Sequence, residues 1–169
     1  MRQSEEDAFR EFAKARMGHL FRSACLLTGG DTHLAEDLVQ ETLGKMYGVW
    51  GPASRVGNPA AYAQTVLVRC CLGYRRRRSS KERPSGELPD RAQVPVPDSS
   101  LRVTLLDALR GLPPKDRAVI VLRYWEDLSV AETADVLHTS PAAVRTRSTR
   151  ALARLRERLG SSIGELTVH

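Results

Sequence analysis

The chain has 169 residues, 41% of them hydrophobic and 5% aromatic, enough for one ordinary domain or two small ones. So few aromatics argue against one large aromatic-rich core and for small helical bundles built on Leu, Val and Ala. The 26 Lys and Arg exceed the 20 Asp and Glu, for a net charge of +6, which favours a polyanionic partner, either nucleic acid or an anionic membrane surface.

That charge is unevenly spread. Val66 to Arg83 carries seven basic residues against Glu82 alone, and Pro141 to Arg158 carries six against Glu157 alone. Met1 to Gly48 holds eight acids and six bases. Two basic blocks behind an acidic start point to two nucleic-acid surfaces and a different kind of partner at the N-terminal end. Cys25, Cys70 and Cys71 are odd in number and two are adjacent, which makes no disulfide framework. The acidic Ser4-Glu5-Glu6-Asp7 stretch leads into no apolar h-region, and no apolar run approaches membrane-spanning length. A cytoplasmic protein with reduced thiols is expected.

In chain order, the first periodic stretch runs from about Glu5 to Thr28, with Phe9, Ala13, Leu20, Ala24 and Leu27 at helical spacing. Ser4 and Asp7 have the form of a capping box, and Gly29-Gly30 stops the helix. Asp31 or Thr32 caps a second helix whose buried stripe is Leu34, Leu38, Val39, Leu43 and Met46. Gly51-Pro52 breaks the chain, 55–59 reads as a loop, and a third helix runs from about Pro59 into the arginine run. Between Ser79 and Ser100 periodicity vanishes among Pro84, Pro89, Pro95 and Pro97, a linker composition that an ordered surface loop could also carry.

Periodicity resumes with Leu101, Leu105, Leu109 and Leu112, ended by Pro113-Pro114. Another helix carries Val119, Leu122 and Arg123 up to Trp125. Ser129 with Glu132 forms a further capping box, and Ser140-Pro141 pairs an N-cap with proline at the first helical position. A long basic helix follows to about Leu159. No strand pattern appears. The fold class is therefore all-α: two small helical domains, a three-helix bundle (1–78) and a second bundle with a helix-turn-helix (101–160), joined by a Pro-rich flexible linker (79–100) and followed by a tail (161–169).

Ser129 to Leu159 is the strongest local signal. A short amphipathic helix, a tight turn and a basic helix make a helix-turn-helix, whose second helix lies in the major groove. Val144, Ser148, Ala151, Leu152, Leu155 and Leu159 share one face and should pack inward. The opposite face carries Ala142, Ala143, Thr146, Thr149 and Arg150, flanked by Arg145 and Arg147. Small residues let a helix sit deep in the groove while arginines reach guanine edges or phosphates. An ordinary helical pair with a solvated basic face is the plainer alternative. The second signal is Tyr74 leading into Arg75-Arg76-Arg77-Arg78. Guanidinium groups neutralise phosphate, and Trp50, Tyr62 and Tyr74 could stack on unpaired bases; solvated charge beside a linker, with the aromatics in the core, fits the same residues. Asp37, Gln40 and Glu41 share the polar side of the second helix, and such a face is ordinarily only solvated.

The AEDLVQE stretch, NPAAY, the arginine run, LPPKDRAVIVLRYWEDLS and the AAVRTRSTRALARLR helix together resemble the sigma-70 family of RNA polymerase sigma factors. Domain two and domain four occur in family order, with a linker and no domain three between them. This is similar to the extracytoplasmic-function (ECF) group, in particular a small actinobacterial-type subgroup. The resemblance implies a non-enzymatic protein, with no cofactor or metal, that binds core RNA polymerase and promoter DNA. It implies that Asp37, Gln40 and Glu41 contact the clamp helices of the largest polymerase subunit. Trp50, Arg55, Asn58 and Tyr62 would capture the opened minus-ten element, with Arg69, Tyr74, Arg75, Arg76, Arg77 and Arg78 gripping the DNA beside it. Ala143, Arg145, Thr146, Arg147, Thr149 and Arg150 would serve the minus-thirty-five element. Domain four would also meet the polymerase beta flap, and the linker would thread toward the active-site cleft and RNA exit path. An anti-sigma factor is a further implied partner, with a monomer when free or a heterodimer with that inhibitor.

Arg69 and Gly73 stand where the family commonly has Asn and Asp, and His138 stands where the turn usually has Gly, so that a left-handed residue there would carry some strain. Two other readings compete. A conventional helix-turn-helix regulator would bind operator DNA alone. A nucleic-acid enzyme would need a cluster that the scattered His19, His33, His138 and His169 do not provide.

Overall fold

The computed structural model describes residues 2–53, 57–81 and 100–167. Helices account for its regular structure, in the order α1 Gln3–Leu27, α2 Thr32–Gly48, α3 Trp50–Ala53, α4 Pro59–Lys81, α5 Ser100–Arg110, α6 Pro114–Ile120, α7 Val130–Leu137 and α8 Pro141–Thr167. A π-helical turn, Val121–Trp125, extends α6. There is no strand among the described residues. Arg55 and 82–99 of the expected linker lie outside them.

Local chemistry sets most helix starts. Asp31 accepts from the Leu34 amide at 3.1 Å to open α2, and Asn58 accepts from the Ala61 amide at 3.1 Å to open α4. At α7 the capping box is complete: Ser129 Oγ accepts from the Glu132 amide at 3.0 Å, and Glu132 Oε1 accepts from the Ser129 amide at 2.8 Å. The box expected at Ser4 is not formed. The helix starts two residues earlier, capped at Arg2, whose carbonyl accepts from Glu5 and Glu6, so Ser4 is already inside α1. At the other end α8 runs to Thr167, past the boundary expected near Leu159.

In the N-terminal half, α1, α2 and α4 bury the predicted stripes. Leu20, Ala24, Leu27, Leu38, Val39, Leu43 and Met46 are core residues beside Leu67, Val68 and Cys71. In the C-terminal half, Leu109 and Leu112 pack on Ile120, Ala151 and Leu155, while Val119, Ala134 and Val144 form a smaller cluster under α7. Leu105, expected in the same stripe as Leu109, is 37% exposed.

The two halves dock. Ala118, Val121, Leu122 and Val136 join the core of the N-terminal half. Arginines line this seam and donate to backbone carbonyls at helix ends, where unsatisfied C=O groups and the helix dipole both favour a cation. Arg117 Nη1 donates to Leu27 O at 2.8 Å, closing the end of α1, while its Nε and Nη2 hold Leu109 O and Leu112 O. Arg110 donates to Gly29 O at 2.9 and 3.1 Å. Gly29 sits at φ +69°, and a Cβ there would meet the Arg110 backbone and Cβ within about 3 Å, so both conformation and close approach demand glycine. The centre of the seam is polar. Glu126 accepts from Ser23 Oγ at 2.7 Å, pairs with His19 Nε2 at 2.9 Å and takes a hydrogen bond from Gln64. Trp125 Nε1 donates to Ser23 Oγ at 3.0 Å and its ring stacks on His19.

Candidate nucleic-acid interface

The helix-turn-helix is built as α7, a left-handed turn and α8. His138 takes the turn at φ 53°, ψ 50°, a conformation a larger residue adopts at some cost. Ser140 Oγ accepts from the Ala143 amide at 3.1 Å, and the chain enters α8 at Pro141. Val144 and Ala151 are fully buried and Leu155 nearly so, which fixes the rotation of the helix. The opposite face carries Ala142, Arg145, Thr146, Thr149 and Arg150 exposed, with Ala143 and Arg147 half-buried at its edge.

Beneath that face lies a group the sequence reading did not single out. Asp116 of α6 is 0% exposed. Its Oδ1 accepts from Arg147 Nη1 at 3.0 Å and Arg150 Nη2 at 3.1 Å, and its Oδ2 from Arg150 Nε at 3.2 Å. Burial pushes the carboxyl toward neutrality, but the hydrogen bonds and charges of Arg150 and Arg147 outweigh it and hold Asp116 below the usual carboxylate range. Helical spacing could have found it. Asp116 lies three and four residues before the buried Val119 and Ile120, so an acid stands on the apolar face.

The second basic surface, along α4, is more varied. Arg76 and Arg77 are exposed and Arg75 is half-buried. Arg78 Nη1 donates to the Tyr74 hydroxyl at 2.9 Å, and the Tyr74 ring packs on the core. Arg69, at the rim of the seam, donates to Val136 O at 3.0 Å and Asp135 O at 3.2 Å, the end of α7. Tyr62 is 38% exposed. Trp50 is only 5% exposed, packed at 5.2 Å from Phe9 and 5.1 Å from Phe12, and is a core residue in this arrangement. An aromatic beside a chain break reads the same in sequence whichever way it turns. Asn58 is exposed and occupied as the α4 cap.

On the polar side of α2, Asp37 and Gln40 are exposed, while Glu41 is half-buried and pairs with Lys45 at 3.5 Å. Structure thus gathers Arg145, Thr146, Arg147, Thr149 and Arg150 on one face, and Asp37, Gln40 and Glu41 on another. Tyr62, Arg69 and Tyr74 to Arg78 are spread along α4.

Residues 9–81 match the family described as Sigma-70 region 2, and residues 102–155 match Sigma-70, region 4. The RNA polymerase sigma-E factor of Streptomyces avermitilis is 39% identical over 157 residues, covering 90% of this chain and 86% of that protein. The chain belongs to the sigma-70 family of RNA polymerase sigma factors. The ECF RNA polymerase sigma factor SigG of Mycobacterium tuberculosis is 32% identical over 161 residues, covering 78% of this chain and 43% of that protein. Among solved structures, the sigma factor RpoE of Bartonella quintana, in complex with the anti-sigma factor NepR, superposes with a TM-score of 0.75 at 25% identity. That match covers 90% of this chain and 97% of RpoE. The region 2 and region 4 matches fall on the two docked halves, and α7 and α8 fall within region 4 except for the end of α8. No described helix is long and apolar enough to cross a membrane, and no described His, Cys, Asp and Glu group is arranged to hold a metal.

Proposed function

We propose that this sigma factor binds core RNA polymerase and directs promoter-specific transcription initiation. The observation that carries the reading is the α8 face: Arg145, Thr146, Thr149 and Arg150 exposed above a fully buried Val144 and Ala151, inside a chain that matches both sigma regions in order. The protein acts by binding rather than by catalysis, in the cytoplasm. Residues 1–78 form the polymerase-binding and minus-ten unit, 79–100 the linker and 101–160 the minus-thirty-five unit.

Domain four anchors the duplex while domain two traps bases of the non-template strand as they unstack. Unstacking costs a few kcal/mol per base and stacking on an aromatic returns about 1–3 kcal/mol, so binding energy opens the DNA and no hydrolysis is needed. Tyr62 is the exposed ring for that task. Arg75 to Arg78 supply phosphate contacts, and Arg69 joins them only when α4 parts from α7, because its guanidinium is otherwise held by α7 carbonyls. Asp37, Gln40 and Glu41 face the polymerase clamp helices, and domain four meets the beta flap. An anti-sigma factor is the inhibitor class expected to hold the chain away from polymerase, as NepR is found with its Bartonella relative.

A titration of core polymerase with labelled full-length protein tests the binding half of this reading. Asp37→Ala and Glu41→Ala should weaken the complex while leaving the helical signal and melting unchanged. Unaltered affinity in both variants removes that face from the polymerase contact.

A further inference from the structure

Arginine is a long side chain that carries about 2 kcal/mol of rotamer entropy. An arginine that reads a base must be held, or it spends its charge on whichever phosphate or base edge it meets. In this protein two of the arginines on the DNA-facing helix are held from below. Asp116 takes one Nη of Arg147 and the Nε–Nη2 edge of Arg150 on its two oxygens. Nη1 of Arg150, and Nε and Nη2 of Arg147, are not bonded to it. Both side chains keep solvent-facing surface, 30% for Arg147 and 48% for Arg150, while the carboxylate between them has none. The anchor itself is rigid, since Asp116 is followed by the fully buried Ala118 and Val119, and α8 is locked against the same half by Val144 and Ala151.

We propose that Asp116 is a positioning residue for promoter recognition: from beneath α8 it fixes the two guanidinium groups so that their remaining donors meet the upstream element in one geometry. The proposal rests on α8 reading that element. A carboxylate that only stabilised the fold could be exchanged, together with its arginines, for well-packed apolar side chains at little cost. This ion pair instead sits directly under the exposed face of α8, and both of its arginines stay partly open to solvent. Arg145 provides the internal contrast. It is exposed on the same face and makes no bond to Asp116, so it acts as an untethered charge toward phosphate. Asp116 thereby converts two point charges into oriented donors, which is what discrimination between base edges requires.

The test uses holoenzyme assembled from core polymerase and the full-length chain, on a promoter library randomised only in the upstream element, with transcripts counted by sequence. Wild type should select a defined set of upstream bases. Asp116→Asn should keep transcription and its dependence on the downstream element, yet lose about 5- to 150-fold of its discrimination at one or two upstream positions, the range of a bidentate arginine–base contact. Arg145→Ala should lower all sequences alike and reduce the salt dependence. Base preferences unchanged in Asp116→Asn, with yield merely lowered throughout, overturn the proposal and leave Asp116 a fold-stabilising group. Should Asp116→Asn melt below the assay temperature, Asp116→Glu carries the test. It keeps the charge but shifts the carboxylate by a methylene, so preference must change if the position of the grip matters, and unchanged preference overturns the proposal. A wild-type chain that transcribes without selecting any upstream base defeats the reading of α8 itself, a result distinct from either variant outcome.

Discussion

The seam between the two halves and the floor of the recognition helix both depend on arginines, but they give them different acceptors. At the seam, Arg69, Arg110 and Arg117 donate to backbone carbonyls, and Glu126 is met mainly by Ser23, Gln64 and His19. Under α8, Arg147 and Arg150 donate to a fully buried carboxylate. Both sets are charge-assisted, but a guanidinium held on two edges by a carboxylate gains geometric specificity as well as energy. The seam's bonds can also be replaced by water on opening, since only Arg117 among its arginines is deeply buried. Physics therefore makes the first contact set separable and the second rigid. That division is what the proposed function calls for, with halves that can part and an α8 surface that keeps one shape.

Breaking the rigid member should have the largest effect. Asp116→Ala leaves Arg147 and Arg150 facing an empty buried site. Losing one side of a buried pair costs about 3–5 kcal/mol, and the partly exposed arginines keep this case near the lower end, as read by urea unfolding. The same pair predicts acid sensitivity. Because the Asp116 carboxyl is held below its ordinary value, its contribution is fully present above the unfolded value of about 3.9 and fades as pH falls through the lower folded one. Asp116→Ala should flatten that part of the acid-unfolding curve.

Next is Arg117, the one seam arginine that is nearly inaccessible, at 3% exposure. Burial, with help from the Arg75 charge, draws its pKa down to about 10. Arg117→Met should cost about 2–3 kcal/mol, since it strands the carbonyls of Leu27, Leu109 and Leu112. It blurs the comparison by acting on both the seam and the second core. Glu126→Ala sharpens it. About 1.5–3 kcal/mol of charged hydrogen bonding is lost, and the loss should fall on docking, so that calorimetry resolves two transitions where wild type gives one. A single unchanged transition would mean that the apolar contacts of Ala118, Val121, Leu122 and Val136 alone hold the halves together. Smallest is Ser129→Ala at the start of α7, worth about 1 kcal/mol, with thermal melting as the readout and the seam unaffected.

The sequence was most informative where the physics is local. Helical spacing placed Leu38, Met46, Val144, Ala151 and Leu155 inward, and the Ser129–Glu132 box and the Ser140-Pro141 start are written in adjacent residues. Ser4 shows the limit of that approach: its motif was present, but the helix had already begun on Arg2. Nothing near Trp50 or Arg69 in the chain reports Phe9, Phe12 or the carbonyls of α7, so the packing of neither is legible locally. The whole seam was invisible for the same reason, since Glu126 meets residues 103 and 107 positions away. Asp116 is a different case. Its place on the apolar face of α6, three and four residues before Val119 and Ile120, is legible in the spacing, whereas its bonds to Arg147 and Arg150 more than thirty residues on are not.

The central claim, that this sigma factor directs initiation at its own promoters, is tested most directly by run-off transcription with core polymerase across fragments of the source genome, with and without the protein. Specific transcripts that appear only when the protein is added are the predicted result, and their start sites give the two promoter elements. Absence of transcripts, together with specific binding of duplex DNA by the protein alone, would contradict it and identify a conventional operator-binding regulator.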